Sequence, residues 1–301
     1  MGGLPDPCAD RVGRVAERPP RGREACRRHQ NPHVPVTSCE GSIEIIAHRG
    51  FSEVAPENTL AALRAAVDAG ARSFEWDVRV TACGTPILLH DSTLDRTTDG
   101  SGSVEKRTFQ DLRSLDAGAW FSSRFRGEPL PSLQEALHAV READRVYPEI
   151  KAAPNPEALE AMLYLVREAG LHERCTFLSL EHRLLRRLRA MDPTIGLGYV
   201  VEGEARLDHA LEDVTGDPRA LLVPDFRILL RHPDWTERTL RAGIALSTWT
   251  VDRTEDATRL EALGVRRITT NRVKTLLEWA SEHASAHGPT EERPPARGEE
   301  G

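Results

Sequence analysis

Four short segments of the sequence place charged and imidazole side chains directly at the ends of apolar runs. They are His48-Arg49, Glu75-x-Asp77, His90-Asp91 and Glu149-x-Lys151. Each of these groups is costly to bury without a partner. One shared polar site explains all four placements together, so the pattern predicts a catalytic or ligand-binding centre.

The carboxylates within this set predict a metal site. Glu75 and Asp77 are two residues apart, so on a strand both side chains point to the same face. Two carboxylates on one face repel each other unless a proton or a cation holds them. Glu149 is expected from the adjacent strand as a third ligand. Three carboxylates suit one divalent cation, Mg2+ or Ca2+, and are also compatible with Mn2+.

The basic residues beside these carboxylates admit two interpretations. In the first, Arg49 and Lys151 hold a phosphate group next to the cation. Arg49 offers a planar fork of donors and Lys151 a compact positive charge. The competing interpretation is a set of structural salt bridges, in which Arg49, Arg79 or Lys151 neutralises the carboxylates. Buried ion pairs contribute little net stability, and this favours the first interpretation.

Two histidines complete the predicted centre. His48 and His90 are the histidines that fall at strand ends near the carboxylates. An imidazole titrates near neutral pH, so the pair is suited to act as general base and general acid on opposite sides of a phosphorus atom. The cation would neutralise charge that develops on the phosphoryl oxygens.

Eight apolar runs alternate with amphipathic segments and predict the elements that position these residues. The predicted strands are Ile43–Ala47, Ser73–Val78, Val146–Ile150, Thr176–Leu180, Ile195–Val200, Ala220–Val223, Ile244–Thr248 and Arg267–Thr270. Buried strands that alternate with helices indicate a parallel sheet. Eight β/α units in about 240 residues are typical of a closed (β/α)8 TIM barrel, and an open doubly wound sheet is the alternative. Glu57 and Asn58 are interpreted as helix-start residues, with Asn58 as the N-cap, and a direct role in the site is the alternative for both.

One connection is too short for this pattern. Residues 75–80 and 86–90 are separated by a turn at Gly84, whereas a parallel crossover needs about a dozen residues. We therefore predict an antiparallel hairpin above the barrel rim, followed by a small insertion at about 91–131. Barrel active sites lie at the carboxyl ends of the strands, so the insertion is expected to lie over the site.

Composition restricts the class of protein. The chain has 301 residues with a formal net charge of −7, so no overall positive field favours nucleic acid or an anionic membrane. The sequence has no apolar run of the length that a membrane span needs and no pairing pattern among its five cysteines; we expect a cytoplasmic protein without stable membrane insertion. Residues 1–41 are predicted to be a disordered arm, 42–283 the barrel domain and 284–301 a flexible tail.

The polar segments also match a known set of motifs. These are His48-Arg49-Gly50, Pro56-Glu57-Asn58-Thr59, Glu75-Trp76-Asp77, His90-Asp91, Leu94-Asp95-Arg96-Thr97-Thr98-Asp99-Gly100, Gly127-Glu128-Pro129-Leu130-Pro131-Ser132-Leu133 and Glu149-Ile150-Lys151. In this order and spacing they closely resemble the glycerophosphodiester phosphodiesterases, over about residues 43–280.

The resemblance implies a (β/α)8 barrel with a small insertion and one divalent cation. It implies metal ligands at Glu75, Asp77 and Glu149, acid and base at His48 and His90, phosphate binding at Arg49 and Lys151, and a glycerol pocket lined by Trp249. One departure is Asn271, where the family usually has Asp. We expect Asn271 to touch none of the proposed catalytic residues.

The implied reaction is hydrolysis of a small-molecule glycerophosphodiester to sn-glycerol 3-phosphate and an alcohol. A first alternative is a lysophospholipase D-type enzyme with the same polar residues and a long-chain substrate. A second alternative, from a different class, is a non-catalytic barrel that binds phosphoesters. The altered stretch around Asn271 is the sole support for the second.

Overall fold

The computed structural model describes residues 42–286. The predicted arm, 1–41, and all but the first three residues of the predicted tail lie outside this range and stay predictions. Those three residues continue the last helix, which runs over Val273–Ala286.

Strands and helices alternate along the described residues. The strands are β1 Glu44–His48, β2 Ser73–Val80, β3 Pro86–Leu88, β4 Arg145–Ile150, β5 Thr176–Ser179, β6 Gly196–Val201, β7 Ala220–Pro224, β8 Ala245–Leu246 and β9 Arg267–Thr270. The α-helices are α1 Leu60–Asp68, α2 Phe109–Arg113, α3 Leu133–Ala139, α4 Pro156–Glu168, α5 His182–Met191, α6 Leu207–Val214, α7 Phe226–Arg231, α8 Pro233–Arg241, α9 Thr254–Ala262 and α10 Val273–Ala286. Short 3-10 helices cover Val104–Lys106, Ser123–Phe125, His172–Arg174 and Glu204–Arg206.

Eight of the strands form a parallel barrel in the order β8-β7-β6-β5-β4-β2-β1-β9. The first and last strands pair with each other, with Ile45 beside Ile268. The remaining seam closes just beyond β8, where the Thr248 N–H donates to the Arg267 carbonyl at 3.1 Å and the Thr269 N–H donates to the Thr248 carbonyl at 2.9 Å. The prediction of a (β/α)8 barrel is confirmed, and the open sheet is excluded.

The predicted hairpin is also present. β3 pairs antiparallel with β2, and Val78 lies opposite Leu88. Gly84 has φ +81° in the connecting turn, a left-handed backbone that glycine adopts without steric cost. The insertion that follows has a small apolar core of its own, made of Ile87, Leu89, Leu94, Val104, Leu112, Ala117 and Leu130. This core holds the loop after β3 at the rim of the barrel.

The barrel interior is filled and leaves space at one end. Alternate strand residues point inward and pack as Ile46, Tyr147, Leu178, Val200, Leu221, Val223 and Ala245. At the amino end of the strands, Glu44 accepts hydrogen bonds from the Tyr147 hydroxyl at 2.8 Å and the Ser73 hydroxyl at 2.6 Å. This polar cluster closes the amino end, so ligand access is from the carboxyl end.

The first helix starts one residue later than predicted. Thr59, rather than Asn58, is the N-cap of α1, and its side-chain oxygen accepts from the Ala62 N–H at 3.2 Å. Asn58 has φ +57°, a left-handed conformation that Asn tolerates better than most residues. The N-cap prediction for Asn58 is therefore wrong, and this backbone turns its side chain toward β2 instead of the helix.

Candidate active site

A pocket of about 450 Å3 lies at the carboxyl ends of the strands. It is lined by His48, Arg49, Glu75, His90, Glu149, Lys151, Leu178, Leu180, Val200, Glu202, Val223, Trp249 and Thr269. Seven of the eight predicted site residues are in this lining. The eighth, Asp77, is fully buried and contacts two of the lining residues.

Strand register brings the three predicted metal ligands together. Glu75 and Asp77 lie on β2, and Asp77 is the direct neighbour of Glu149 on β4. One carboxylate oxygen from each of the three lies within 4.8 Å of the others. Such a group of oxygens matches the donors that Mg2+ and Ca2+ prefer.

Two cationic side chains hold Asp77 in its ionised form. Its Oδ2 lies 3.0 Å from Arg49 Nε and its Oδ1 lies 3.0 Å from Lys151 Nζ. Burial opposes ionisation, but the positive charges of Arg49 and Lys151 outweigh it and hold the pKa of Asp77 well below its ordinary value. Lys151 also contacts Glu149 at 2.7 Å. The ion pairs of the competing interpretation are therefore present at two of the three carboxylates.

Glu75 is left without a cationic side-chain partner. Its Oε2 accepts from the Arg49 backbone N–H at 3.0 Å, while its Oε1 is buried and has no hydrogen bond within residues 42–286. Burial, and next the negative charge of Asp77, raises the pKa of Glu75 well above its ordinary value. A buried carboxylate oxygen without a donor is costly, and a divalent cation would satisfy it. The residues present therefore fit such a cation.

The predicted alternative partner Arg79 is engaged elsewhere. Its Nε donates to the carbonyl oxygen of His90 at 2.8 Å. This bond fixes the end of the hairpin from which the His90 side chain projects. Arg79 therefore positions the loop, and within residues 42–286 the ion pairs of the carboxylates are made by Arg49 and Lys151 instead.

The two histidines occupy different environments. Burial, and next the positive charge of Arg49, lowers the pKa of His48 to about 4, so its imidazole is neutral at neutral pH. The side chain of His90 is 36% exposed, against 15% for His48, and its Nδ1 lies 2.6 Å from Asp91 Oδ1. A neutral buried imidazole suits a base, and an imidazole held by a carboxylate suits an acid.

A chain of charges links the two histidine-bearing loops. Glu57 Oε1 accepts from Arg49 Nη1 and from Arg96 Nη2, both at 2.8 Å. Arg96 Nε donates to Asp91 Oδ2 at 2.6 Å and lowers the pKa of Asp91 to about 2. Glu57 lies just before the start of α1, and its carboxylate also holds two arginines at the rim. Neither residue type nor spacing reveals these contacts, since the partners lie on separate loops.

Asn58 belongs to the site as well. Its Nδ2–H donates to Asp77 Oδ2 at 2.8 Å, and its Oδ1 accepts from the Asp77 backbone N–H at 3.0 Å. The amide therefore clamps one predicted metal ligand from behind. An Asn that follows a Pro-Glu pair in a loop is a weak sequence signal, because helix capping explains the same residue.

Replacement of Asn58 by glycine is expected to weaken binding of Mg2+ or Mn2+ by about 10- to 100-fold, as for other residues that orient metal ligands. Glycine keeps the positive φ, so the change reports the loss of the amide and not backbone strain. Isothermal titration calorimetry measures the affinity. Affinity as in the unmodified protein would contradict the proposed clamp, and Asn155→Gly, at the start of α4, is the matched control.

Asn271 contacts a predicted catalytic residue, so that expectation is also wrong. Its Oδ1 accepts from His48 Nδ1–H at 2.7 Å and from the Ser52 hydroxyl at 2.8 Å. On its other side, Nδ2–H donates to Asp252 Oδ2 at 2.8 Å. The contact spans more than two hundred residues, because β1 and β9 are neighbours only once the barrel has closed.

Trp249 forms part of the pocket, and its role toward glycerol stays a prediction. Its indole N–H donates to the Val223 carbonyl at 3.1 Å, and its ring forms part of the pocket wall together with Leu178 and Val200.

Among residues 42–286, none of the helices combines the length and the apolar character that crossing a membrane requires.

Known proteins share this sequence and fold. The model of the glycerophosphoryl diester phosphodiesterase family matches residues 48–275. A glycerophosphodiester phosphodiesterase from Caldanaerobacter subterraneus is 35% identical over 237 residues, which cover 77% of this chain and 96% of that protein.

Solved structures of two related proteins superpose on this fold. A phosphodiesterase from Oleispira antarctica, in complex with the product sn-glycerol 3-phosphate, superposes with a TM-score of 0.74 at 26% identity and covers 80% of this chain and 97% of that one. A glycerophosphodiester phosphodiesterase from Agrobacterium tumefaciens gives a TM-score of 0.68 at 29% identity and covers 79% and 99%. The pocket with its acidic group and two histidines thus lies in a chain that belongs to the glycerophosphoryl diester phosphodiesterase family of phosphoric diester hydrolases.

Proposed function

We propose that this protein hydrolyses glycerophosphodiesters to sn-glycerol 3-phosphate and an alcohol in a reaction that depends on a divalent cation. The observation that carries the proposal is the group of Glu75, Asp77 and Glu149 oxygens, which lie within 4.8 Å of one another beside a pocket lined by both histidines. The product named in the Oleispira relative supports the choice of substrate.

The three carboxylates would hold the cation. A cation at this place supplies positive charge that stabilises the negative charge on phosphoryl oxygens in the transition state. Arg49 and Lys151 line the same pocket, and their side chains add fixed positive charge toward a bound phosphate. This arrangement orients the ester without any change in the fold.

The proposed proton transfers follow from the two histidine environments. His48 Nε2 takes the proton from the attacking hydroxyl group, because the neutral ring carries its own proton on Nδ1 toward Asn271. His90 gives a proton to the oxygen of the departing alcohol, and the contact of its Nδ1 with Asp91 Oδ1 at 2.6 Å orients the ring. In direct attack by water, one P–O bond forms and the P–O bond to the alcohol breaks, and His48 then releases a proton to solvent while His90 takes one up. In attack by the glycerol 2-hydroxyl, a cyclic phosphate forms first, and water opens it in a second step with the two histidine roles reversed.

A second candidate is lysophospholipase D-type hydrolysis of lysolipids. It is favoured by the apolar wall of Leu178, Leu180, Val200 and Val223. The glycerophosphodiester reaction is preferred because the solved Oleispira relative is in complex with sn-glycerol 3-phosphate, whereas a long acyl chain needs a continuous apolar groove.

The deciding assay is release of glycerol 3-phosphate from glycerophosphocholine and glycerophosphoethanolamine by the purified protein. Mg2+, Ca2+ and Mn2+ are supplied in turn, and EDTA is then added. We expect release with at least one cation and its loss with EDTA. Release of choline from lysophosphatidylcholine alone would favour the second candidate. Binding of the diesters without turnover under every condition would favour the non-catalytic barrel.

A further inference from the structure

We infer that Asn271 and Asp252 form a hydrogen-bond relay that holds the His48 proton on Nδ1 and so keeps Nε2 as the nitrogen facing the site. In this relay Asp252 makes an amide necessary at position 271. The inference deepens the proposed function, since it explains how His48 is prepared to act as a base, and it names two positioning residues.

At the His48 end of the relay, two hydrogen bonds fix the orientation of the Asn271 side-chain amide. Its Oδ1 accepts from His48 Nδ1–H at 2.7 Å and from the Ser52 hydroxyl at 2.8 Å. An amide oxygen only accepts hydrogen bonds, so the neutral imidazole must carry its proton on Nδ1. His48 Nε2 is then the unprotonated nitrogen, and it lies 3.9 Å from Glu75 Oε2 at the cation site.

Asp252, at the other end of the relay, fixes the same orientation of the Asn271 amide independently. Asp252 Oδ2 accepts from Asn271 Nδ2–H at 2.8 Å. Asp252 Oδ1 accepts from the Asn271 backbone N–H at 2.8 Å and from the Thr270 hydroxyl at 3.0 Å. An ionised carboxylate has no proton to donate. Rotating the Asn271 amide by a half-turn would place its oxygen against this carboxylate, so Asp252 prevents the rotation.

Each single exchange at these positions breaks the relay in a different way. In Asp252→Asn, residue 252 gains an N–H and can satisfy either orientation of Asn271. The Asn271 Nδ2–H can then face His48 Nδ1, which must lose its proton to Nε2 in order to accept. In Asn271→Asp, two carboxylates replace a hydrogen bond of 2.8 Å, and like charges at that distance repel.

The double exchange restores every hydrogen bond with the two roles reversed. An aspartate at 271 accepts from His48 and Ser52, and an asparagine at 252 donates to its second oxygen. The side-chain oxygen at 252 still accepts from the Thr270 hydroxyl and the backbone N–H. The total charge of the site is unchanged by the exchange.

The test uses full-length protein with Mg2+ and compares the two single variants with the double variant. Nitrogen-15 NMR of the neutral imidazoles reports which nitrogen of His48 carries the proton, and thermal unfolding reports stability. We expect a shift of the His48 proton toward Nε2 in Asp252→Asn. We expect Tm to fall by about 3 °C or more in Asn271→Asp, where two carboxylates face each other. The double variant is expected to recover the Nδ1–H form and most of the lost Tm.

Turnover adds a third readout. Asp252→Asn is expected to lower kcat by about 10- to 100-fold with little change in KM, as for loss of other residues that orient a functional histidine. Asn155→Asp and Asp234→Asn, both exposed, are the matched controls. An unchanged Nδ1–H form in Asp252→Asn, or a double variant no better than the sum of its singles, would overturn the inference. The NMR and Tm readouts hold even if no diester is turned over, so failure of the proposed function is distinguishable.

Discussion

Replacing His48 by alanine is expected to lower kcat by about 10²- to 10⁴-fold, the usual contribution of a positioned general base. The buried neutral ring is the group in the pocket with a free basic nitrogen at neutral pH, because its pKa is lowered to about 4. Cation binding should survive, since the three carboxylates are intact. Release of glycerol 3-phosphate measures the first effect and calorimetric titration with Mg2+ measures the second.

His138→Ala is the matched control for this loss. His138 is exposed at the end of α3 and is not part of the pocket lining, so activity should stay within experimental error. If His48→Ala keeps more than about a tenth of the activity, His48 does not act as the general base. Another group would then have to accept the proton.

Replacing Glu75 by glutamine is expected to have two opposite effects. The first is loss of cation binding, and with it loss of activity, because a neutral amide is a poorer ligand for a hard cation than a carboxylate. In unmodified protein, saturating cation raises stability by about 2.7 kcal/mol at 100 times Kd. The glutamine variant should show almost none of this rise in Tm.

The second effect is a gain in stability when a chelator is present. Folding raises the pKa of Glu75 above its ordinary value of 4.5, so the folded chain keeps a proton that the unfolded chain loses above that pH. Stability of the unmodified protein therefore falls as pH rises from about 4.5 toward the folded-state pKa, by up to about 1.4 kcal/mol per pH unit from this group. Glutamine mimics the protonated acid and removes the fall.

Chemical denaturation with EDTA at a series of pH values measures this difference. The glutamine variant should be the more stable protein at neutral pH, and the gap should close as pH falls toward 4.5. Glu160→Gln, at an exposed position of α4, is the control for loss of a negative charge. A gap that widens at low pH would show that Glu75 is ionised in the folded, cation-free protein.

The barrel and most of its polar centre are predictable from the sequence because they depend on local patterns. Strands such as β2 and β4 are buried on both sides and appear as short apolar runs. The spacing of Glu75 and Asp77 places both on one face wherever that strand lies. The shortest strand, β8, was predicted as Ile244–Thr248 but spans Ala245–Leu246, since the pairing beyond Leu246 is irregular.

The residues that escaped prediction act through contacts that form only in the folded chain. Asn58 serves Asp77 because its left-handed backbone turns the amide away from α1, and a residue type alone does not fix that angle. Asn271 and Asp252 meet His48 only after β9 has paired with β1. The spacing of residues along the sequence does not reveal such contacts. The carboxylates could be predicted because they lie at the ends of strands.

The order of strands around the barrel has an evolutionary consequence. β1, β2 and β4 are consecutive in the sheet and carry the charged centre, while β5 to β8 supply the facing wall through Leu178, Val200, Val223 and the exposed Glu202 at the mouth. Evolution can therefore vary the wall formed by β5 to β8 while the carboxylates in the other half of the ring stay unchanged. A random library confined to the β5 to β8 loops is the natural starting point for redirecting this enzyme.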